Sequence, residues 1–139
     1  MAILTLQKKY KDEVAPAMMR KFRYGNLMAV PKIEKVVVNC GVGRFRDEKE
    51  RSEITKYLVL ITGQKPAPRP AKKAIASFKT RKGLVVGYQI TLRGKRMWDF
   101  ISRLVDIALP RTRDFRGIDS KSFDACGSLT IGIKEHTVF

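Results

Sequence analysis

Between Ile54 and Trp98 the chain carries eleven lysines and arginines and no aspartate or glutamate. Ammonium and guanidinium groups in such a run do one kind of chemistry well. They neutralise phosphates, release condensed counterions and, in the case of arginine, stack on flat rings. A one-signed field also repels itself and weakens the fold unless an anion lies against it. The whole chain shares the bias, with 29 basic and 13 acidic residues in 139 and a formal net charge of +16. These residues imply a large polyanion, RNA or DNA, as the partner class. A solvated charged face explains most charge runs, but the absence of any interleaved acid argues against it here.

Other chemistries find less support. His136 is the single histidine, and no serine or cysteine stands in a nucleophile motif with it, so a catalytic triad is not expected. Asp47, Glu48, Glu50 and Glu53 are carboxylates at a helix start, where the helix dipole accounts for them without catalysis. Cys40 and Cys126 lack the paired spacing of a zinc site and read as small buried residues of a reducing compartment. No metal and no cofactor is expected. Gly41-Val42-Gly43 resembles the opening of a dinucleotide fingerprint, but its third glycine position is Arg46. The plain reading is a strand-to-helix turn that needs positive φ. Lys79 to Gly83 lacks the leading glycine of a phosphate-binding loop, and Lys82 to Tyr88 lacks the stacking aromatics of an RNA-recognition strand.

Length and composition set the frame. A chain of 139 residues with 44% hydrophobic and 30% charged residues reads as a single globular domain, 1–139. The N-terminus reaches Gln7-Lys8-Lys9 without a long apolar stretch, and no run is long enough to span a bilayer. A cytoplasmic protein with no membrane partner is expected.

The elements that must position the basic run follow from periodicity. Leu6, Tyr10, Val14 and Met18 predict a helix over Leu4 to Phe22, kinked or broken by Pro16 and ended by Tyr24-Gly25-Asn26. Ile33 to Cys40 alternates as a strand, with Val36, Val38 and Cys40 on one face and Lys35, Val37 and Asn39 on the other. A second helix is expected over Asp47 to Ile61, with Ile54, Tyr57, Leu58 and Ile61 as its stripe and Gly63 as its cap. Pro66, Pro68 and Pro70 exclude a helix or a central strand, so Gln64 to Gly83 reads as a basic extended segment with a long loop. Leu84 to Arg93 predicts a strand with Gln89, Thr91 and Arg93 on its polar face. A third helix is expected from Lys95 to Leu109, stopped by Pro110, with Met97, Ile101, Leu104, Val105 and Ala108 as its stripe. Leu129, Ile131 and Ile133 predict a last strand. The order implies an α+β fold, a mainly antiparallel sheet with helices packed on one face and a long basic loop. The polar strand faces then offer amide, hydroxyl and guanidinium groups suited to phosphates, 2′-hydroxyls and exposed bases. An ordinary wet sheet face is the competing explanation.

Four blocks in order carry a resemblance. Val38-Asn39-Cys40-Gly41-Val42-Gly43, Thr62-Gly63-Gln64-Lys65-Pro66, Ile90 to Met97 and Pro110 to Gly117 are similar to successive signatures of the bacterial-type large-subunit ribosomal protein number five family. The similarity covers essentially the whole chain. It implies a structural constituent of the large ribosomal subunit that binds 5S ribosomal RNA in the central protuberance and touches the large ribosomal RNA. Asn39, Gln64 and Thr91 match family positions that contact 5S RNA, and Lys35 and Arg93 share their strand faces. The stretch from Lys72 to Gly83 matches a loop that reaches transfer RNA in the peptidyl site. Lys72, Lys73, Phe78, Lys79, Thr80, Arg81 and Lys82 would make that contact. The family also bridges to a protein of the small-subunit head, and Asp114, Arg111, Arg113 and Arg116 fall near the matching surface.

Two departures qualify the match. Asp124-Ala125-Cys126-Gly127 stands where relatives carry a glycine and then an arginine, so one cation is lost. Relatives also continue past the position of Phe139 with a strand and a helix, and a sheet edge left open by their absence would need cover from RNA or protein. A bacterial cytoplasm is implied, with an organellar ribosome the other setting. The alternative function is a general nucleic-acid-binding protein or RNA chaperone outside the ribosome.

Overall fold

A computed structural model describes residues 6–45, 47–113, 115 and 117–139. Contacts group the chain into two compact units, Met1–Phe100 and Ile101–Phe139.

The first unit begins with α1 (Leu6–Lys9), a π-helical turn (Tyr10–Val14) and α2 (Ala15–Phe22) in direct succession. The expected start at Leu4 lies outside the described residues. Pro16 does not break this helix. It stands in the first turn of α2, where its missing N–H costs nothing extra, and the preceding turn widens so that the Ala15 N–H donates to the Tyr10 carbonyl. The helix ends at Arg23, which takes the left-handed conformation at φ 55°, rather than at Gly25. Asn26 caps the next short turn instead, its side-chain oxygen accepting from the Met28 N–H at 3.0 Å.

Three strands follow: β1 (Val36–Gly41), β2 (Ala67–Pro70) and β3 (Val85–Leu92). They form one antiparallel sheet in the order β1-β3-β2. The fold is α+β, as the alternation and stripes implied. β1 starts at Val36 rather than Ile33. The proline-rich stretch does contain a strand, but at the sheet edge, the one place where a strand can do without some of its donors. The sheet's buried residues include Ile90 at 2% exposure, and Leu92 and the neighbouring Val42 at 0%. Each is worth roughly 1.5–3 kcal/mol of burial.

Between β1 and β2 runs α3 (Glu48–Thr62), with Asp47 as N-cap and Glu48 and Glu50 in its first turn. Gly63 ends it at φ 67°, donating its N–H to the Val59 carbonyl at 2.7 Å. Ile54, Leu58 and Ile61 are half-buried along the predicted stripe, while Tyr57 is exposed. Thr62, buried, satisfies its hydroxyl on the Leu58 carbonyl at 2.6 Å.

The third predicted helix starts as α4 (Gly94–Arg103) and passes through a π-helical turn (Leu104–Ala108) into α5 (Leu109–Arg111). Pro110 therefore does not stop it. The Leu109 N–H reaches back to the Leu104 carbonyl, the same widening that accommodates Pro16. One extra residue in that turn shifts the stripe, and Val105 is exposed although it was expected to pack.

In the second unit the predicted last strand does not form. Residues around it make one isolated antiparallel bridge, Phe123 to Leu129, and the Thr130 N–H donates to the Ser122 carbonyl. Alternation was present, but no described strand runs alongside Ile131 and Ile133 to complete a ladder. Asp124 and Gly127 make a tight turn, with Gly127 at φ 79°.

Candidate nucleic-acid interface

The sheet register decides which polar side chains stand together. Val37 pairs with Thr91, Asn39 with Gln89, and Gly41 with Gly87. On the other side of β3, Gln89 pairs with Ala67 and Gly87 with Arg69. Directly opposed residues of an antiparallel pair share a face. One face therefore carries Val37, Asn39, Gly41, Gln89, Thr91, Ala67 and Arg69. The opposite face carries Val36, Val38 and Cys40, as their alternation predicted, with Tyr88, Ile90 and Leu92 of β3. Burial pushes the Cys40 thiol pKa up, as an apolar face requires. Lys35 and Arg93 lie one residue beyond the Val36–Leu92 pair, both exposed.

Gln64 joins this group. Gly63 reverses the chain at the end of α3, and the Gln64 side-chain amide then donates to the Thr91 carbonyl at 3.3 Å. Its backbone is held by Thr62, whose hydroxyl oxygen accepts from the Gln64 N–H at 3.4 Å. Asn39 and Thr91 thus share one face of the sheet on adjoining strands, and the Gln64 amide reaches the Thr91 backbone from the segment that follows α3. Alternation could place Asn39 and Thr91 on polar faces, but nothing in the sequence announces the Gln64–Thr91 bond.

The basic loop is a finger that connects β2 to β3. Its neck is closed by the Ala71 N–H on the Leu84 carbonyl at 2.8 Å and the Gly83 N–H on the Ala71 carbonyl at 3.0 Å. Its tip is closed again by Ile75 and Thr80, which exchange backbone hydrogen bonds of 3.2 Å in both directions. The Thr80 hydroxyl also donates to the Ile75 carbonyl. A 3₁₀ turn, Ala76–Phe78, and Lys79 at φ 51° form the end of the finger. Lys72, Lys73, Lys79, Arg81 and Lys82 are all exposed, and Phe78 at the tip is 75% exposed. The loop is more ordered than a basic segment alone suggests, because two sets of bonds close it before any partner arrives.

Arg111 ends α5 and Arg113 follows Thr112, whose hydroxyl donates to the Ala108 carbonyl at 2.8 Å. Both arginines are exposed. Asp114 and Arg116 lie outside the described residues. The second unit holds these two arginines, whereas the sheet face and the finger belong to the first.

Among the described residues no group of three His, Cys, Asp or Glu side chains could hold a metal. No helix among them is long and apolar enough to cross a membrane. One expectation is corrected here: neither Gly41 nor Gly43 has positive φ. Gly41 is the last residue of β1, and Val42 extends the ladder by donating its N–H to the Val86 carbonyl at 2.9 Å.

Comparison with known proteins gives this arrangement its context. The family described as ribosomal protein L5 matches residues 26–81, and the C-terminal segment of the same ribosomal family matches residues 85–139. Large ribosomal subunit protein uL5 of Lactobacillus johnsonii is 50% identical over 136 residues, covering 97% of this chain and 76% of the relative. Its counterpart in Alkaliphilus oremlandii is 51% identical over 135 residues, 96% of this chain and 75% of that protein. The uL5 protein of Alkaliphilus metalliredigens is 47% identical over a similar span. With half the residues identical across nearly its entire length, and with both family segments matched in order, the chain belongs to the large ribosomal subunit protein uL5 family.

Proposed function

We propose that this chain binds 5S ribosomal RNA through the sheet face that carries Asn39 and Thr91 together with the adjoining Gln64, and contacts peptidyl-site transfer RNA through the finger. The chain is a structural component of the large ribosomal subunit, not an enzyme, and works in the ribosome of a bacterial cytoplasm as its relatives do. The finer assignments are the proposal: seating in the central protuberance, contact with the large ribosomal RNA, and a bridge to the small-subunit head through the Arg111–Arg113 region.

The observation that carries the reading is a sheet face with Asn39, Gln89 and Thr91, with the Gln64 amide bonded to the Thr91 backbone, at the base of a closed finger whose charged residues are all basic. Amide and hydroxyl groups on a paired backbone can read base edges and 2′-hydroxyls. Exposed lysines and arginines supply the charge that draws RNA in and fixes its register. If the chain neutralises roughly five to eight phosphates, 5S RNA affinity should fall with a log–log salt slope of about −4 to −7. Filter binding across a salt series measures it, and a slope near zero would remove the basis of the reading.

A further inference from the structure

The three strands contain one charged side chain, Arg69. Register puts it on the face that carries Asn39, Gln89 and Thr91, in the row Gly41–Gly87–Arg69. It is exposed, and its guanidinium has no hydrogen bond or ion pair with any described residue. Its backbone is tightly defined. Pro68 and Pro70 flank it, each with φ fixed by its ring, and the β2–β3 register shifts between Arg69 and Pro70. Bulges of this kind re-aim a side chain and recur beside binding sites. The row also lies at the end of the sheet from which the finger grows, so Arg69 stands between the neutral face and Lys72 and Lys73.

Its neighbours in the row leave space. Gly87 has a structural reason to be glycine: a Cβ there would meet the Cys40 carbonyl oxygen at 3.2 Å. Gly41 has none. Its φ is not positive, and a Cβ added to it would have nothing within 4 Å. A glycine that the fold does not require, at an exposed strand position, suits close approach of a ligand's backbone.

We infer that Arg69 is a further RNA-contacting residue, pairing with a phosphate of the same RNA that docks on the sheet face, and that bare Gly41 lets the nucleotide chain pass beside it. This rests on the RNA-binding reading of that face. Guanidinium is suited to the task because its planar fork bonds two phosphate oxygens at once. Loss of one such contact should lower the salt slope by about one.

The experiment compares wild type, Arg69→Gln and Gly41→Val for binding to 5S RNA across a salt series, with urea denaturation of each protein. Arg69→Gln should weaken binding on the order of ten-fold at about 150 mM salt and flatten the slope by about 0.9. Gly41→Val should keep or raise stability, since the position is open and valine favours strands, yet weaken binding several-fold. Wild-type affinity and slope in both variants would overturn the inference while leaving the RNA-binding reading intact. A wild-type protein that does not bind 5S RNA would overturn that reading, and this inference with it.

Discussion

On the sheet, the groups turned outward are mostly neutral and the backbone behind them is paired. Gln89 has a strand partner on each side, and the Thr91 carbonyl also takes the Gln64 amide. In the finger, the groups are charged and the backbone is paired only at neck and tip. On the function proposed above, the two regions divide the work of RNA binding. Discrimination needs donors and acceptors held in fixed places, and a paired strand supplies them. Attraction needs charge within reach of phosphates, and charge tolerates looser positioning because Coulomb forces fall off slowly. Arg69 sits where the two regions meet and has one property from each, a charge on a rigid strand.

The strongest way to break the division is to remove the scaffold. Leu92→Ala should cost about 2–5 kcal/mol by urea denaturation and weaken both kinds of binding. Phe78→Ala at the exposed tip should change stability by no more than about 0.5 kcal/mol. Next, Arg81→Glu with Lys82→Glu should abolish most transfer RNA contact and lower its salt slope by about two, while 5S RNA binding is kept. Equal loss of both would show that the sites are not separate. Asn39→Ala and Thr91→Ala should do the converse, each losing roughly three- to ten-fold in 5S RNA affinity, the worth of a hydrogen bond, with an unchanged slope. The smallest effect concerns the back of the sheet. Exposed Cys126 should alkylate before half-buried Cys40 at pH 8, and Cys40 should speed up as pH rises toward its raised pKa. Equal rates in the folded protein, read by mass spectrometry, would contradict the buried face assigned to β1.

Much of this was legible in the sequence where one signal dominated. Alternation located β1 and β3 and divided their faces correctly, and the stripe and Gly63 located α3. Proline was over-read. Pro16 and Pro110 each follow a π-helical turn by the same offset, Tyr10–Val14 and Leu104–Ala108, and that extra residue supplies the room a strict α-helix lacks. Residues 129–133 alternate like a strand, but beyond the single Phe123–Leu129 bridge no described strand continues the ladder, since pairing depends on distant chain that local pattern does not encode. The site shows the same limit. Asn39 and Thr91 could be found by period, the finger by charge. The approach of Gln64 to Thr91 depends on how α3 returns to β3. Arg69 was hidden among prolines that read as an extended segment outside the sheet's centre, and Gly41 passed for a turn residue until its φ was known.

The most direct test of the account is competition binding of the purified chain to 5S RNA, with transfer RNA and duplex DNA as competitors, at about 150 mM salt, where charge alone is partly screened. The account predicts that 5S RNA is retained when either competitor is in excess, because the neutral face adds recognition that charge does not supply. Equal displacement by both competitors would mean that only the charge field acts, and would contradict the assignment of specificity to Asn39, Gln64 and Thr91.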